Sequence, residues 1–290
     1  MKGIILAGGA GSRLYPLTQV ITKQLQPIYD KPMIYYPLSL LMLGGIKEIL
    51  LITTADDQPR FKNLLKDGSQ FGVSLRYEVQ DKPRGLPEAF IIGEDFIGDD
   101  EVTLILGDNL FYGDISFFRS ALLSNHKGCI FAYPVSDPER YGVVEFESRT
   151  KKVLSLEEKP VNPKSKFAIP GLYIFDNSVV SKAKKVTPGP RGETEIVEIL
   201  KMYMAEGDLH AEIISRGVAW LDTGTPKSFM EASSYIAAIE ERQGLKVACL
   251  EEIALRMGFI NKEKFDLTIK SLPSCAYKNY LIEIGKEFDQ

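Results

Sequence analysis

The chain predicts an α/β fold with a mixed, mostly parallel central sheet, a β-rich subregion grafted onto it, and a helical extension at the C-terminal end. Three observations carry this prediction. Short apolar runs alternate with helical patterns through the first half of the sequence. Strand-like segments dominate from Gly142 to Phe175, and helical patterns then return and close the chain.

Taken in order, "GIILA" is the first strand, a helix follows from about Met33 to Leu43, and "EILLIT" is the next strand. A helix over Pro59 to Leu65 leads to "VSLRYEV" and then to "VTLILG". Strands separated by helices form βα units around a parallel sheet. After "GCIFAYPV" come "GVVEFE", "VLSLEE" and "IPGLYIFD", the β-rich subregion. Helical patterns resume at Thr194 to Ala205 and at Pro226 to Glu241, and stretches such as "CLEEIALRMGF" continue them beyond Arg242. The expected division is a main domain over 1–241, with the β-rich subregion at about 137–222, and an extension over 242–290.

With 290 residues and 44% hydrophobic content, the chain fills a substantial core without disulfide staples. A net charge of −4, with both signs mixed in its charge clusters, argues against nucleic acid as the main partner. Local lysines and arginines still suit a small anionic ligand. The longest apolar stretch, Met33 to Ile46, is interrupted by Pro37 and is too short to span a bilayer. The opening "MKGIILAGGAGSR" has a very short apolar core and soon meets Arg13, unlike a signal peptide. Cys129, Cys249 and Cys275 form neither a CxxC motif nor an even framework, so reduced thiols and a cytoplasmic location are expected. Of the two histidines, His126 lies in the polar turn "SNHKG" and His210 opens a strand, so neither histidine catalysis nor zinc binding is expected.

Two loops stand out. "ILAGGAGSRLYPLT" follows the first strand directly, and Gly8, Gly9 and Gly11 let the backbone come close to a ligand, with exposed N–H groups that attract phosphate. A dinucleotide fingerprint needs a third glycine where Leu14 stands, and no Walker lysine is present. The Arg13 guanidinium beside such a nest suits several anionic oxygens. On its own, this segment also fits a plain strand-to-loop turn. The second loop, "LILGDNLFYGD", spans residues 104 to 114 and drops from an apolar run into Gly107 and Asp108. Such a run is a strand buried on both faces, and its carboxyl end is the edge where open α/β sheets bind ligands. An isolated Gly-Asp pair also reads as a turn cap.

Together with "TKQLQPIYDKPMIYYPLS", "VQDKPRGLPEAF", "DPERYGVVEF", "LEEKP", "GLYIFD", "PRGETEI", "WLDTGTP" and "RQGLKVAC", these segments resemble the glucose-1-phosphate thymidylyltransferases, a family of sugar-nucleotide pyrophosphorylases. The resemblance runs essentially from end to end. It implies a nucleotide-diphospho-sugar transferase fold, Rossmann-like, and Mg²⁺-dependent transfer of dTMP from dTTP to glucose 1-phosphate. The products are dTDP-glucose and pyrophosphate, in the first step of dTDP-L-rhamnose and other dTDP-sugar synthesis.

In that reaction the nucleophile is a phosphate oxygen already ionised at neutral pH, so no general base is required. Charge neutralisation and in-line positioning carry the rate. Mg²⁺ prefers hard oxygen ligands and takes one or two from the protein, of which Asp108 is one. By resemblance the second is Asp222, whose alternative role is N-cap of the helix near Pro226. The resemblance assigns Gly8, Gly9, Gly11, Ser12, Arg13 and Lys23 to the nucleotide, with Gln24 beside Lys23. The Gln80 amide offers a donor and an acceptor to a pyrimidine edge, Gly85 permits close approach, and Leu86 gives the base an apolar face. Pro87 and Glu88 depart from the small and amide residues common in the family.

On the sugar side, Glu158 would accept hydrogen bonds from glucose hydroxyls and Lys159 would hold the sugar phosphate, with their side chains on opposite faces of a β segment. Asn109, Gly142, Ile169 and Tyr173 match positions that line the sugar pocket, Ile169 standing where valine is frequent. Arg191 matches an arginine near the glucosyl phosphate, and it also has Glu193 and Glu195 at hand as partners. Arg13, Lys23, Asp108, Lys159 and Asp222 form the expected catalytic set.

The resemblance further implies a homotetramer whose C-terminal segment helps bind a regulatory dTDP-sugar, commonly dTDP-rhamnose. Leu250, Ile253 and Met257 give an apolar helical stripe able to dock on a neighbour or on the chain's own core, and Leu250 replaces the proline expected after the cysteine. The nearest alternative is a UTP-dependent glucose-1-phosphate uridylyltransferase or another sugar-1-phosphate nucleotidyltransferase, because one methyl group discriminates by only about 1–3 kcal/mol. A dinucleotide-dependent oxidoreductase is more remote, given Leu14 and the position of Asp30 in "YDKP".

Overall fold

The computed structural model describes residues 1–9, 11–189 and 192–289. β1 (Lys2–Ala7) runs into the glycine loop, and a small hairpin of β2 (Pro27–Ile28) and β3 (Lys31–Pro32) precedes the first helix, α1 (Tyr35–Leu43). That helix begins two residues later than Met33, and the Met33 and Ile34 amides donate back to the carbonyls of Gln26 and Gln24, tying its start to the preceding loop. Next come β4 (Glu48–Thr53), α2 (Gln58–Leu65) and β5 (Ser74–Val79), as the alternating pattern predicts. The short helices α3 (Glu88–Ile92) and α4 (Glu94–Ile97) then lead to β6 (Val102–Leu106), followed by β7 (Asn109–Tyr112), α5 (Ser116–Leu122) and β8 (Gly128–Pro134).

The β-rich subregion holds β9 (Gly142–Phe146), β10 (Val153–Glu158), β11 (Phe167–Ala168) and β12 (Leu172–Phe175). After α6 (Val179–Ala183), α7 (Ile196–Glu206) and β13 (Leu209–Ile213), the chain makes β14 (Ala219–Asp222) and the long helix α8 (Pro226–Gln243). Thr225 and Ser228 close a capping box at its start, and Gly244, at φ +70°, ends it. The extension folds as α9 (Leu250–Arg256), α10 (Lys262–Lys270) and α11 (Ala276–Glu287).

In the main sheet β5, β4, β1 and β6 are parallel neighbours, and β12 is inserted antiparallel between β6 and β8. β13 adds to β8 in parallel, while β11, β9 and β10 continue as an antiparallel arm. Adjacent residues of the central strands face opposite layers, as the two-residue period requires. Ile5 and Ile105 join Leu41, Phe61 and Phe118 on one face, whereas Ile4 and Leu104 join Phe90, Leu200 and Tyr203 on the other. The extension completes the first of these layers: Leu250, Ala254, Leu255, Phe265 and Leu281 are buried in the same cluster. The apolar stripe therefore docks on its own chain through Leu250, with Ile253 and Met257 half-buried. No helix among the described residues is long and apolar enough to cross a membrane.

Candidate active site

The carboxyl ends of β1 and β6 open onto one cleft. Gly11, at φ +60°, turns the chain into a single helical turn over Ser12–Leu14 that buries Leu14 and leaves Ser12 and Arg13 exposed. A second turn over Lys23–Leu25 buries Gln24, whose side-chain oxygen accepts from the Thr22 hydroxyl at 2.8 Å. Gly107 lets β6 pass beneath this turn, because a Cβ there would stand 2.9 Å from Gln24 Cγ and 3.1 Å from the Leu6 carbonyl oxygen.

A short ribbon brings the two aspartates together. β7 starts directly after Asp108 and pairs antiparallel with β14, placing Asn109 opposite Asp222. The Thr223 hydroxyl donates to the Asp108 carbonyl at 2.9 Å and ties the junction. Asn109 Nδ2 donates to Asp108 Oδ1 at 3.1 Å, while its Oδ1 accepts from Trp220 Nε1 at 2.7 Å and from the Gly171 amide at 3.0 Å. Lys23 Nζ donates to Asp108 Oδ2. Gly224 admits Arg13 beside Asp222: a Cβ there would lie 2.9 Å from Arg13 Nη2 and 3.1 Å from Asp222 Oδ1.

The two carboxyls are tuned in opposite directions. Burial pushes Asp108 up, but the Lys23 charge and hydrogen bond and the Asn109 amide outweigh it and hold Asp108 below the ordinary carboxylate value. Burial and the neighbouring Asp108 charge raise Asp222, against the pull of Arg13, Lys23 and Arg140. Among the described residues, no donor bonds the Asp222 carboxylate. Nor is Asp222 the N-cap of α8, a role filled by Thr225.

Two cavities meet at Asp108. One, of about 360 Å³, is lined on the glycine-loop side by Gly11, Arg13 and Lys23 and on the far side by Gln80, Gly85 and Leu86. The other, of about 280 Å³, is lined by Gly142, Glu158, Lys159, Ile169, Tyr173 and Trp220. Arg13, Leu86, Leu106 and Asp108 line both. Glu158 and Lys159, expected on opposite faces of a strand, instead converge on the second cavity with Lys159 Nζ 3.3 Å from Glu158 Oε1. The cause is backbone geometry. β10 ends at Glu158, Lys159 takes a left-handed φ of +45°, and its amide donates to the Tyr141 carbonyl at 3.0 Å.

Residues 2–239 match the family model described as nucleotidyl transferase. The chain belongs to that family. A glucose-1-phosphate thymidylyltransferase from Neisseria meningitidis serogroup A is 52% identical over 290 residues, covering 99% of this chain and 100% of the relative. The enzyme of the same name from Mycolicibacterium smegmatis is 52% identical over 287 residues, covering 98% and 99%. Among solved structures, a Bacillus anthracis chain provisionally assigned as a glucose-1-phosphate thymidylyltransferase, in complex with a sucrose, aligns with TM-score 0.75 and 40% identity over 81% of this chain and 94% of that one. A UDP-glucose pyrophosphorylase complexed with UDP-glucose aligns with TM-score 0.73 at 24% identity over 83% of this chain and 99% of that one, a likeness of fold.

In this nucleotidyltransferase the expected nucleotide residues Gly9, Gly11, Ser12, Arg13, Lys23, Gln24, Gln80, Gly85, Leu86 and Asp108 all line the first cavity. Gly8 lies behind it, buried, where a Cβ would stand 2.9 Å from Gln80 Oε1. Asn109, Gly142, Glu158, Lys159, Ile169, Tyr173 and Asp222 line the second. Arg191 lies outside the described residues. The two histidines stack on each other with ring centroids 4.1 Å apart, and neither lines either cavity. Sequence reasoning missed Gly224, Glu193, Arg140 and Tyr141, which also line the cleft. The motifs "LDTGTP", "RGETEI" and "DPERYG" contain all four, so the signal was present without a reason to choose among their residues.

Proposed function

We propose that the protein transfers dTMP from dTTP to α-D-glucose 1-phosphate, forming dTDP-glucose and releasing pyrophosphate. The observation that carries this reading is the position of Asp108, at the wall shared by a glycine-loop cavity and an acid- and lysine-bearing cavity. The full-length relatives bearing that enzyme name support it. Triphosphate in the first cavity and sugar phosphate in the second put a phosphate oxygen of the sugar in line with the α-phosphorus. A new oxygen–phosphorus bond forms there as the bond to pyrophosphate breaks.

Arg13 and the backbone around Gly11 neutralise the departing pyrophosphate, and Lys23 serves the α-phosphate side. Lys159 holds the sugar phosphate and Glu158 accepts from glucose hydroxyls. Asn109, whose amide is committed to Asp108, Trp220 and Gly171, positions Asp108 from the sugar wall. Asp108 and Asp222 fit a Mg²⁺ ion: both are hard oxygen donors, and the repulsion that raises Asp222 is the kind a divalent cation relieves. When bound, the ion supplies positive charge to the phosphate oxygens at the reacting centre.

The same reading places the enzyme in the cytoplasm, in keeping with its unpaired cysteines. It also carries a homotetramer with feedback by dTDP-rhamnose, for which light scattering with and without that nucleotide is the measurement. Pyrophosphate release across four nucleoside triphosphates and several sugar 1-phosphates tests the main reaction. The expected result is fastest release with dTTP and glucose 1-phosphate, UTP following. No release with that pair overturns the proposal.

A further inference from the structure

The two cavities share a wall, and that wall is held from the sugar side. Leu86 lines both cavities and Gly85 lines the first, on a loop that crosses from β5 to α3. Lys82, Pro83 and Arg84 of this loop are exposed, so it has little packing of its own. A second segment also serves both cavities, with Glu193 in the wall of the first and Ile196, where α7 begins, in the wall of the second. Thr194 joins loop to segment. Its backbone N–H donates to the Arg84 carbonyl at 2.7 Å, and its hydroxyl donates to the same oxygen at 2.8 Å. Two donors from one residue fix the peptide plane that follows Arg84. Gly85 permits the approach: it sits at φ +112°, and a Cβ there would stand 2.0 Å from the Thr194 carbonyl oxygen and 2.7 Å from its hydroxyl. Gly85 and Thr194 accordingly pair as a single parallel bridge.

We infer that Thr194 is a positioning residue, which makes the loop at Leu86 and the segment leading to Ile196 one body, so that each substrate raises the affinity for the other. Thr194 itself lines neither cavity. A nucleotide packed on Leu86 holds the loop, and through the Arg84 carbonyl it holds the segment that ends in the sugar wall. The sugar phosphate then meets a wall whose ordering cost is already met. Linkage makes the enhancement equal in both directions. Without the hydroxyl, the loop keeps one donor in place of two, and ordering one wall does less for the other.

The inference rests on the proposed reaction, and two measurements separate their fates. In the first, α,β-methylene-dTTP, which cannot transfer its nucleotidyl group, is titrated calorimetrically with Mg²⁺, with and without saturating glucose 1-phosphate. The sugar phosphate is expected to tighten analogue binding in the wild type, and Thr194→Val to cut that enhancement roughly threefold or more. Affinity for the analogue alone stays within about twofold of the wild type, and Thr194→Ser, which keeps the donor, restores the enhancement. A merely structural role would weaken both titrations alike. In the second, amide hydrogen exchange at Gly85 and Leu86 is followed in the ligand-free protein, where Thr194→Val is expected to speed it and Thr194→Ser to leave it unchanged. No enhancement in the wild type, or one kept in full by Thr194→Val, overturns the inference. Absence of pyrophosphate release with dTTP and glucose 1-phosphate overturns the reaction, and the exchange measurement, which needs no substrate, still decides whether Thr194 holds the loop.

Discussion

Asp222 in the cleft is half-buried and the acids beneath the C-terminal helices are buried, and the two are compensated in opposite ways. Under the extension, Glu240 accepts from Lys31 Nζ and from the Val247 amide, each at 2.8 Å, and from Lys246 Nζ at 3.1 Å. Glu251 accepts from the Tyr277 hydroxyl at 2.6 Å, and Glu252 from Arg256 Nε at 2.7 Å and the Tyr280 hydroxyl at 2.5 Å. Each buried carboxylate there is satisfied by its own chain. In the cleft, Asp222 has as its strongest charged neighbour another acid, and no donor among the described residues bonds it. Burying charge without a partner is costly, so a fold keeps such a group only where something from outside completes it. The difference separates the acids that hold the architecture from Asp222, while Asp108 beside it is already met by Lys23 and Asn109.

The comparison breaks most visibly at the aspartates. Asp108→Asn and Asp222→Asn are each expected to cut turnover by about 10²–10³-fold or more, because each removes charge from the proposed ion site. Asp222→Asn should leave stability unchanged or raised, since it also removes the repulsion from Asp108. Near-normal Mg²⁺-dependent pyrophosphate release in either variant would refute the metal assignment.

The converse holds for Glu240. Its side chain is 5% exposed and faces Lys31, which is 2% exposed, so Glu240→Ala removes one of the two acids that meet this buried ammonium. Asp30 still pairs with both Lys31 and Lys246, which places the expected loss at the low end, about 3 kcal/mol. Urea unfolding measures that loss, while kcat per folded molecule stays at the wild-type value. A variant that is stable but inactive would erase the distinction between the two regions.

Within the cleft, the two cavities divide the kinetic work. Arg13→Ala is expected to lower kcat, by leaving charge on the departing pyrophosphate unbalanced, and Lys159→Ala to raise KM for the sugar phosphate, each by roughly tenfold or more. Exchanged effects would mean that the phosphate sites are assigned the wrong way round.

How much of this was legible in the sequence follows the same divide. Burial on both faces leaves a continuous apolar signal that announced β1, β4, β6 and β8, while the edge strand β5 and the long helices were announced by their period. Glycines 9 and 11, Arg13 and Asp108 were legible because they sit at strand ends. Asp222 is different: its neighbour Asp108 is set by the β7–β14 register, which no local pattern encodes. The convergence of Glu158 and Lys159 depends on one left-handed residue that is not glycine, and strand periodicity pointed the other way. Asn109 was legible as a pocket residue but not as the support of Asp108, a role that needs Trp220 and Gly171 from distant segments. The docking of Leu250 into the main core was one of two open readings, since an apolar stripe carries no address.

The smallest effect is a slope, and it sharpens the comparison from the structural side. Burial pushes Glu251 above its ordinary value of 4.5, only partly offset by the Tyr277 hydroxyl and by Lys31. In the folded protein Glu251 therefore keeps its proton at pH values where the unfolded chain has lost it. With more protons bound in the native state, stability falls as pH rises. The contribution is full below about 4.5, the unfolded value, and is lost as pH climbs through the raised folded value. Glu251→Gln keeps an acceptor for Tyr277 and cannot titrate, so the variant should gain on the wild type across that window, by at most about 1.4 kcal/mol per pH unit for one proton. Urea unfolding of both proteins at a series of pH values checks it. Parallel stability curves would show that burial leaves the proton affinity of Glu251 the same in the folded and unfolded chain, and that Tyr277 and Lys31 fully offset it.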